Sequence, residues 1–164
     1  TKIKAASILA LIHLISADVS VMGFSATSAW WTHFTYPFFH ASWVHLIVNL
    51  YAFWKLYDGK PFGKRTLIYA YTLSVAASFV LPSIIPTVGL SGAIYAFIAF
   101  RYANDTNMLS TLIVSIALLS GYLIPGINGN IHLVSFMSAL VMAKTNSLIT
   151  RYTNDNRGIT ARKR

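Results

Sequence analysis

Three short stretches of the chain carry side chains able to do acyl-transfer chemistry. They are His40 and His45 followed by Asn49, then Gly89-Leu90-Ser91-Gly92, and then His132. A serine hydroxyl is a weak nucleophile and needs a base within hydrogen-bond reach, a role that histidine fills near neutral pH. Ser91 and His132 are therefore the candidate nucleophile and base. His45 and Asn49, four residues apart on one helical face, can donate alongside the Ser91 N–H to the oxyanion of a tetrahedral intermediate. Hydrolysis of a peptide bond needs this set together with water. Each piece also has a blander reading. Small residues such as those of Gly-x-Ser-Gly commonly let membrane helices approach one another. A histidine at a helix end is commonly a headgroup or packing residue, which is the reading given to His13 and His33. No strand precedes Ser91, so the nucleophile elbow of soluble hydrolases is no parallel. The combination points to chemistry where the single motifs do not.

Other chemistries are narrowed by composition. The chain has no cysteine, which removes disulfides, thiolate nucleophiles and Cys-ligated zinc. No metal or organic cofactor is required, since His40 and His45, five apart, share a helix face poorly and lack carboxylate or thiolate partners. Of the four acids, Asp58 and Asp105 fall in connections on one side and Asp155 in the C-terminal tail, leaving Asp18 as the candidate third member of a triad. A Ser/His dyad is the favoured expectation.

The elements that must position these residues are apolar. The 164 residues are 55% hydrophobic and 10% charged, with a mean hydropathy of +0.58, whereas soluble domains carry about 25% charged residues. Apolar runs recur at about 3–24, 41–57, 66–81, 90–102, 108–124 and 131–149, separated by turn-forming or charged clusters. The expected fold is all-α, an integral membrane bundle of six transmembrane helices filling 1–150, followed by a basic cytoplasmic tail at 151–164. The first run, about 22 residues, is too long for a signal peptide and reads as a retained helix.

The net charge of +9 is distributed as membrane orientation demands. With six crossings, all thirteen Lys and Arg residues fall on one side, and the connections at 25–40, 82–89 and 125–130 contain none. Both termini are thus expected in the cytoplasm, with the tail touching anionic lipid. Nucleic acid is excluded as a partner, because no basic face interleaved with aromatics occurs outside the tail. In this arrangement the segments carrying His45 and Asn49, Ser91, and His132 all run inward from the outer side. The fourth segment is short: 12 residues from Leu90 to Arg101 rise about 18 Å against about 30 Å of hydrocarbon. Ser91 is therefore expected at a submerged helix N-terminus, after a non-helical stretch from Leu81 to Gly89 with two prolines, where free backbone N–H groups favour negative charge.

From about Phe34 to Ala143 the residues resemble the rhomboid intramembrane proteases. Phe34 to Asn49, containing His40-x4-His45-x3-Asn49, is similar to the family's second-helix motif; Gly89-Leu90-Ser91-Gly92 with Tyr95 resembles its nucleophile motif, and His132 followed by small residues its last core helix. The resemblance implies a serine endopeptidase in which Ser91 is nucleophile, His132 general base, and His45, Asn49 and Ser91 form the oxyanion hole. Tyr95 would orient the catalytic histidine, Gly89 would support the nucleophile turn, and His40 would support the nearby loop and water network. The implied partners are transmembrane protein substrates and membrane lipids, and the implied home is a bacterial plasma membrane. The chain departs from the family pattern in three places. Trp30-Trp31-Thr32 has no arginine, Ser135 and Ala139 replace glycines after the histidine, and Val88 stands where a further glycine often precedes the nucleophile motif. Competing readings are a noncatalytic rhomboid-like client-binding protein, a rhombosortase-type processing protease, and a small transporter or channel. Noncatalytic relatives normally lack the Ser or the His, both present here; the transporter lacks paired carboxylates and an internal repeat. Oligomeric state, substrate and cleavage-site preference are left open by the sequence.

Overall fold

The computed structural model describes residues 2–15, 18–56, 64–81, 83–104 and 106–162. The connection that carries Asp58 lies outside these residues, as do Pro82, Asp105 and the last two positions. The chain is all-helical among the described residues: α1 (Lys2–Ile15), α2 (Val19–Met22), α3 (Thr32–Thr35), a 3-10 turn (Tyr36–Phe38), α4 (Trp43–Leu56), α5 (Lys64–Val80), α6 (Ser91–Tyr102), α7 (Met108–Leu123) and α8 (Gly129–Arg162). The only β pairing among them is an isolated antiparallel bridge between Phe24 and Thr87.

Two boundaries differ from the sequence reading. The first run is described as two helices, with Asp18, of a residue type favoured at helix starts, leading into α2. The last helix does not stop near 149 but continues to Arg162, with no proline after Ala143 to end it and through the Asn154-Asp155-Asn156-Arg157-Gly158 cluster that would ordinarily favour a turn. Among the described residues no helix is long and apolar enough to cross a membrane. α4 and α7, of 14 and 16 residues, rise only about 21 and 24 Å.

α6 is the centre of the bundle. Its most extensive helix pairing is with α8, and it also packs on α5 and α4. Small side chains make that closeness possible: Ala93, Ala96 and Ala99 of α6 are buried, as are Ser135 and Ala139 of α8. Phe97, Phe100 and Phe136 fill the remaining space. Polarity is distributed against the usual soluble pattern. Ser74, Ser78, Ser135, Asn49 and His132 are buried, while Val44, Ile47 and Val48 of α4 and Leu112, Ile113, Ile116 and Leu119 of α7 are exposed.

The chain from 83 to 90, which leads into α6, is irregular and held from outside itself. Phe24 and Thr87 exchange N–H···O bonds of 3.0 and 2.9 Å, the Ala26 N–H donates to the Ser83 carbonyl (2.7 Å), and the Gly89 N–H donates to the Tyr36 carbonyl (3.0 Å). The loop between α2 and α3 and the 3-10 turn thus satisfy backbone groups that a non-helical stretch leaves open. Tyr36 itself is fully buried, donates to the Ser74 carbonyl (3.0 Å) and contacts the Ser74 hydroxyl.

Candidate active site

Ser91 is the first residue of α6, so the N–H groups of its first turn have no intrahelical acceptor. Its Oγ lies 2.9 Å from His132 Nε2, across 41 residues of sequence. Two glycines set the approach. Gly89 has φ +115°, a conformation that L side chains rarely adopt, and a Cβ there would stand 2.7 Å from the His45 ring. The residue two before Ser91 is therefore glycine for both backbone and space. A Cβ on Gly92 would lie 3.1 Å from Tyr36 Oη, so α6 begins against a polar floor made by Tyr36 and Ser74.

His132 is buried near the start of α8 and stacked on Tyr95, with ring centroids 4.2 Å apart and planes 15° apart. Tyr95 is anchored in turn: its hydroxyl donates to the Ala117 carbonyl of α7 at 2.6 Å, an acceptor shared with the Ser120 hydroxyl at 2.7 Å. His132 Nδ1 is buried with no hydrogen-bond partner, so the exposed Asp18 does not engage the ring.

On the α4 side, the Asn49 amide nitrogen donates to the His45 carbonyl one turn back (2.9 Å), which leaves its second N–H for another acceptor. His45, Asn49, Ser91, Tyr95 and His132 all line one cavity of about 640 Å³. Its walls are otherwise largely apolar, with Val44, Val48, Ile94, Ile98 and Ile131 among them, and Val88 lining it beside Gly89. His40 does not line the cavity; it lies behind His45, ring edge to face at 5.1 Å, fully buried and with neither nitrogen hydrogen-bonded. His13 packs edge-on against Trp43, and His33 stacks on Phe79 while its Nδ1 meets the Ser78 hydroxyl at 2.9 Å. Both act as packing residues. Among the described residues no three His, Cys, Asp or Glu side chains gather as metal ligands.

The arrangement presents a hydroxyl at an imidazole, several N–H donors nearby and an apolar cavity over them. Residues 27–149 match the family model described as the Rhomboid domain. The chain belongs to the rhomboid family. That makes it a member of a membrane-protein family whose catalytic members are serine proteases. No curated protein matches the chain significantly. Two parts of this rhomboid site had no signal as such in the sequence. Tyr36 and Ser74, 38 residues apart, meet only through the packing of the 3-10 turn on α5. Gly121, in α7, lies against the His132 ring; a lone glycine in an otherwise apolar helix was the one available hint.

Proposed function

We propose that this rhomboid is an intramembrane serine endopeptidase that cleaves transmembrane proteins near the outer membrane face. The observation that carries the reading is the 2.9 Å contact of Ser91 Oγ with His132 Nε2 inside a cavity shared with His45 and Asn49. Ser91 Oγ attacks the scissile carbonyl carbon while His132 Nε2 takes the hydroxyl proton. The oxyanion accepts from the Ser91 N–H, Asn49 and His45. Collapse breaks the C–N bond, the amine leaves with the proton from His132, and a water activated by the same imidazole hydrolyses the acyl-enzyme. Tyr95 keeps the ring in register, and His40 backs His45 from behind.

The proposal includes six membrane crossings with both termini in the cytoplasm of a bacterial cell. The one-sided Lys and Arg distribution and the exposed apolar faces of α4 and α7 support that placement. Helices shorter than the hydrocarbon are matched by local bilayer thinning and by their flanking loops. Substrate enters past α7, where Gly121 alone of sixteen residues is buried, and membrane lipid covers that face otherwise.

The test is cleavage of a transmembrane substrate by purified protein in liposomes, with Ser91→Ala and His132→Ala alongside. Loss of turnover by at least about a thousandfold in both variants is expected. Equal cleavage by all three proteins removes the mechanism, and client binding without turnover by the wild type assigns the chain to the noncatalytic relatives.

A further inference from the structure

Of the sixteen residues of α7, from Met108 to Leu123, Gly121 alone is buried. That position faces the base. A Cβ built on Gly121 would lie 2.9 Å from His132 Nδ1, closer than side-chain carbons come to other heavy atoms, and 3.0 Å from Gly129 Cα, a tight contact that a small shift relieves. The α7 backbone is therefore already against the ring edge opposite the one that meets Ser91. The imidazole is bounded on three sides, by Ser91 Oγ at Nε2, by the Tyr95 ring on one face, and by Gly121 at Nδ1. Because the ring is rigid, whatever stops Nδ1 also sets where Nε2 points.

We propose that Gly121 is a positioning residue for the base: the α7 backbone at Gly121 is the stop that keeps the His132 imidazole in register with Ser91. The inference rests on the Ser91/His132 reading and extends it to a helix that contributes no reacting group. Of the two neighbours a Cβ would strike, Gly129 is backbone at the start of α8, whereas the imidazole can turn about its side-chain bonds. Turning it lengthens the Nε2 to Oγ contact or breaks the stack on Tyr95. The same helix holds Tyr95 through the Ala117 carbonyl, one turn before Gly121. The position of α7 thus reaches the base by two routes, along the ring edge and through the stacked tyrosine.

The experiment compares Gly121→Ala with Gly129→Ala in the full chain. Gly129→Ala is the structural control, since its Cβ would meet Tyr122 Cδ2 at 2.8 Å and the Gly121 carbonyl at 2.9 Å, crowding the same helix crossing without meeting the imidazole. The readouts are kcat and KM on a transmembrane substrate, the rate at which a fluorophosphonate labels Ser91, and the unfolding temperature. Gly121→Ala is expected to lower kcat and labelling by about a hundredfold with KM little changed, the usual scale for a misplacement near 1 Å. Gly129→Ala is expected to lower the unfolding temperature and to lower labelling by no more than about tenfold, since it crowds the Gly121 backbone without striking the imidazole. Wild-type labelling in Gly121→Ala, or equal loss in both variants, overturns the proposal while leaving the catalytic reading in place. A wild-type chain that is not labelled overturns both. If Gly121→Ala alone fails to fold, the pair Gly121→Ala with His132→Ala is expected to recover folding in part, because the nearer of the two neighbours that the methyl strikes is gone; no recovery overturns the proposal.

Discussion

α6 and α7 follow one another in the chain, are both apolar, and are held in opposite ways. Seven of the twelve residues of α6 are buried, against one of sixteen in α7. The first carries Ser91 at its N-terminus and is enclosed by α4, α5 and α8; the second leans on the bundle along α8, with its outer face open. Under the proposed function, the difference separates two requirements of a hydrolase working on membrane segments. A nucleophile must be fixed to within fractions of an ångström, and that calls for close packing on every side. A wall past which a substrate helix enters must yield, and an element with few buried apolar contacts is the one that yields most easily. Gly121 is where the two regions meet, since the lightly held helix there lies against His132, whose ring contacts Ser91 of the tightly held one.

The comparison breaks most readily in α6. Phe97 is fully buried, so Phe97→Ala is expected to lower unfolding stability by about 3–5 kcal/mol, read from denaturation in detergent. A loss no larger than that of a surface change on α7 would undo the contrast. Next in size, Asn49→Ala removes a proposed oxyanion donor and is expected to cut kcat by about 100- to 1,000-fold with the chain still folded. Melting and turnover measured on one preparation separate those effects. Tyr95→Phe keeps the ring stacked on His132 but deletes the bond to the Ala117 carbonyl. A stability loss of about 1 kcal/mol is expected with a reduced kcat, and unchanged values in both would show that α6 and α7 are not coupled through this tyrosine. Smallest of all, Ile116→Ala at an exposed position of α7 is expected to stay within about 0.5 kcal/mol of the wild type and to keep turnover.

How far the site could be read beforehand follows from the range of each signal. Ser91, His132, His45 and Asn49 were candidates because their residue types are costly in an apolar chain and their local spacings fit helix faces. The twelve-residue length of α6 was legible for a similar reason, since prolines and glycine before it and Asn104 after it are local punctuation. The start of a separate α2 after Asp18 was not, because hydropathy averages over a single polar position. Nor was the extension of α8 to Arg162, where apolarity ends but helical backbone does not. Apolar length reports the preferred surroundings of a segment, not where its hydrogen-bond ladder stops.

By itself, then, the sequence determined which side chains are able to react, which stretches are helical and apolar, and how the basic charge is divided along the chain. These follow from residue type and from neighbours a few positions away. Only the tertiary structure decided that Ser91 and His132, 41 residues apart, stand in hydrogen-bond contact, that the chain before α6 is strapped to the 24–36 loop, and that Gly121 closes the far edge of the imidazole. Such contacts depend on how closely helix backbones approach, which is set by small residues acting together across several helices and is invisible in any one of them.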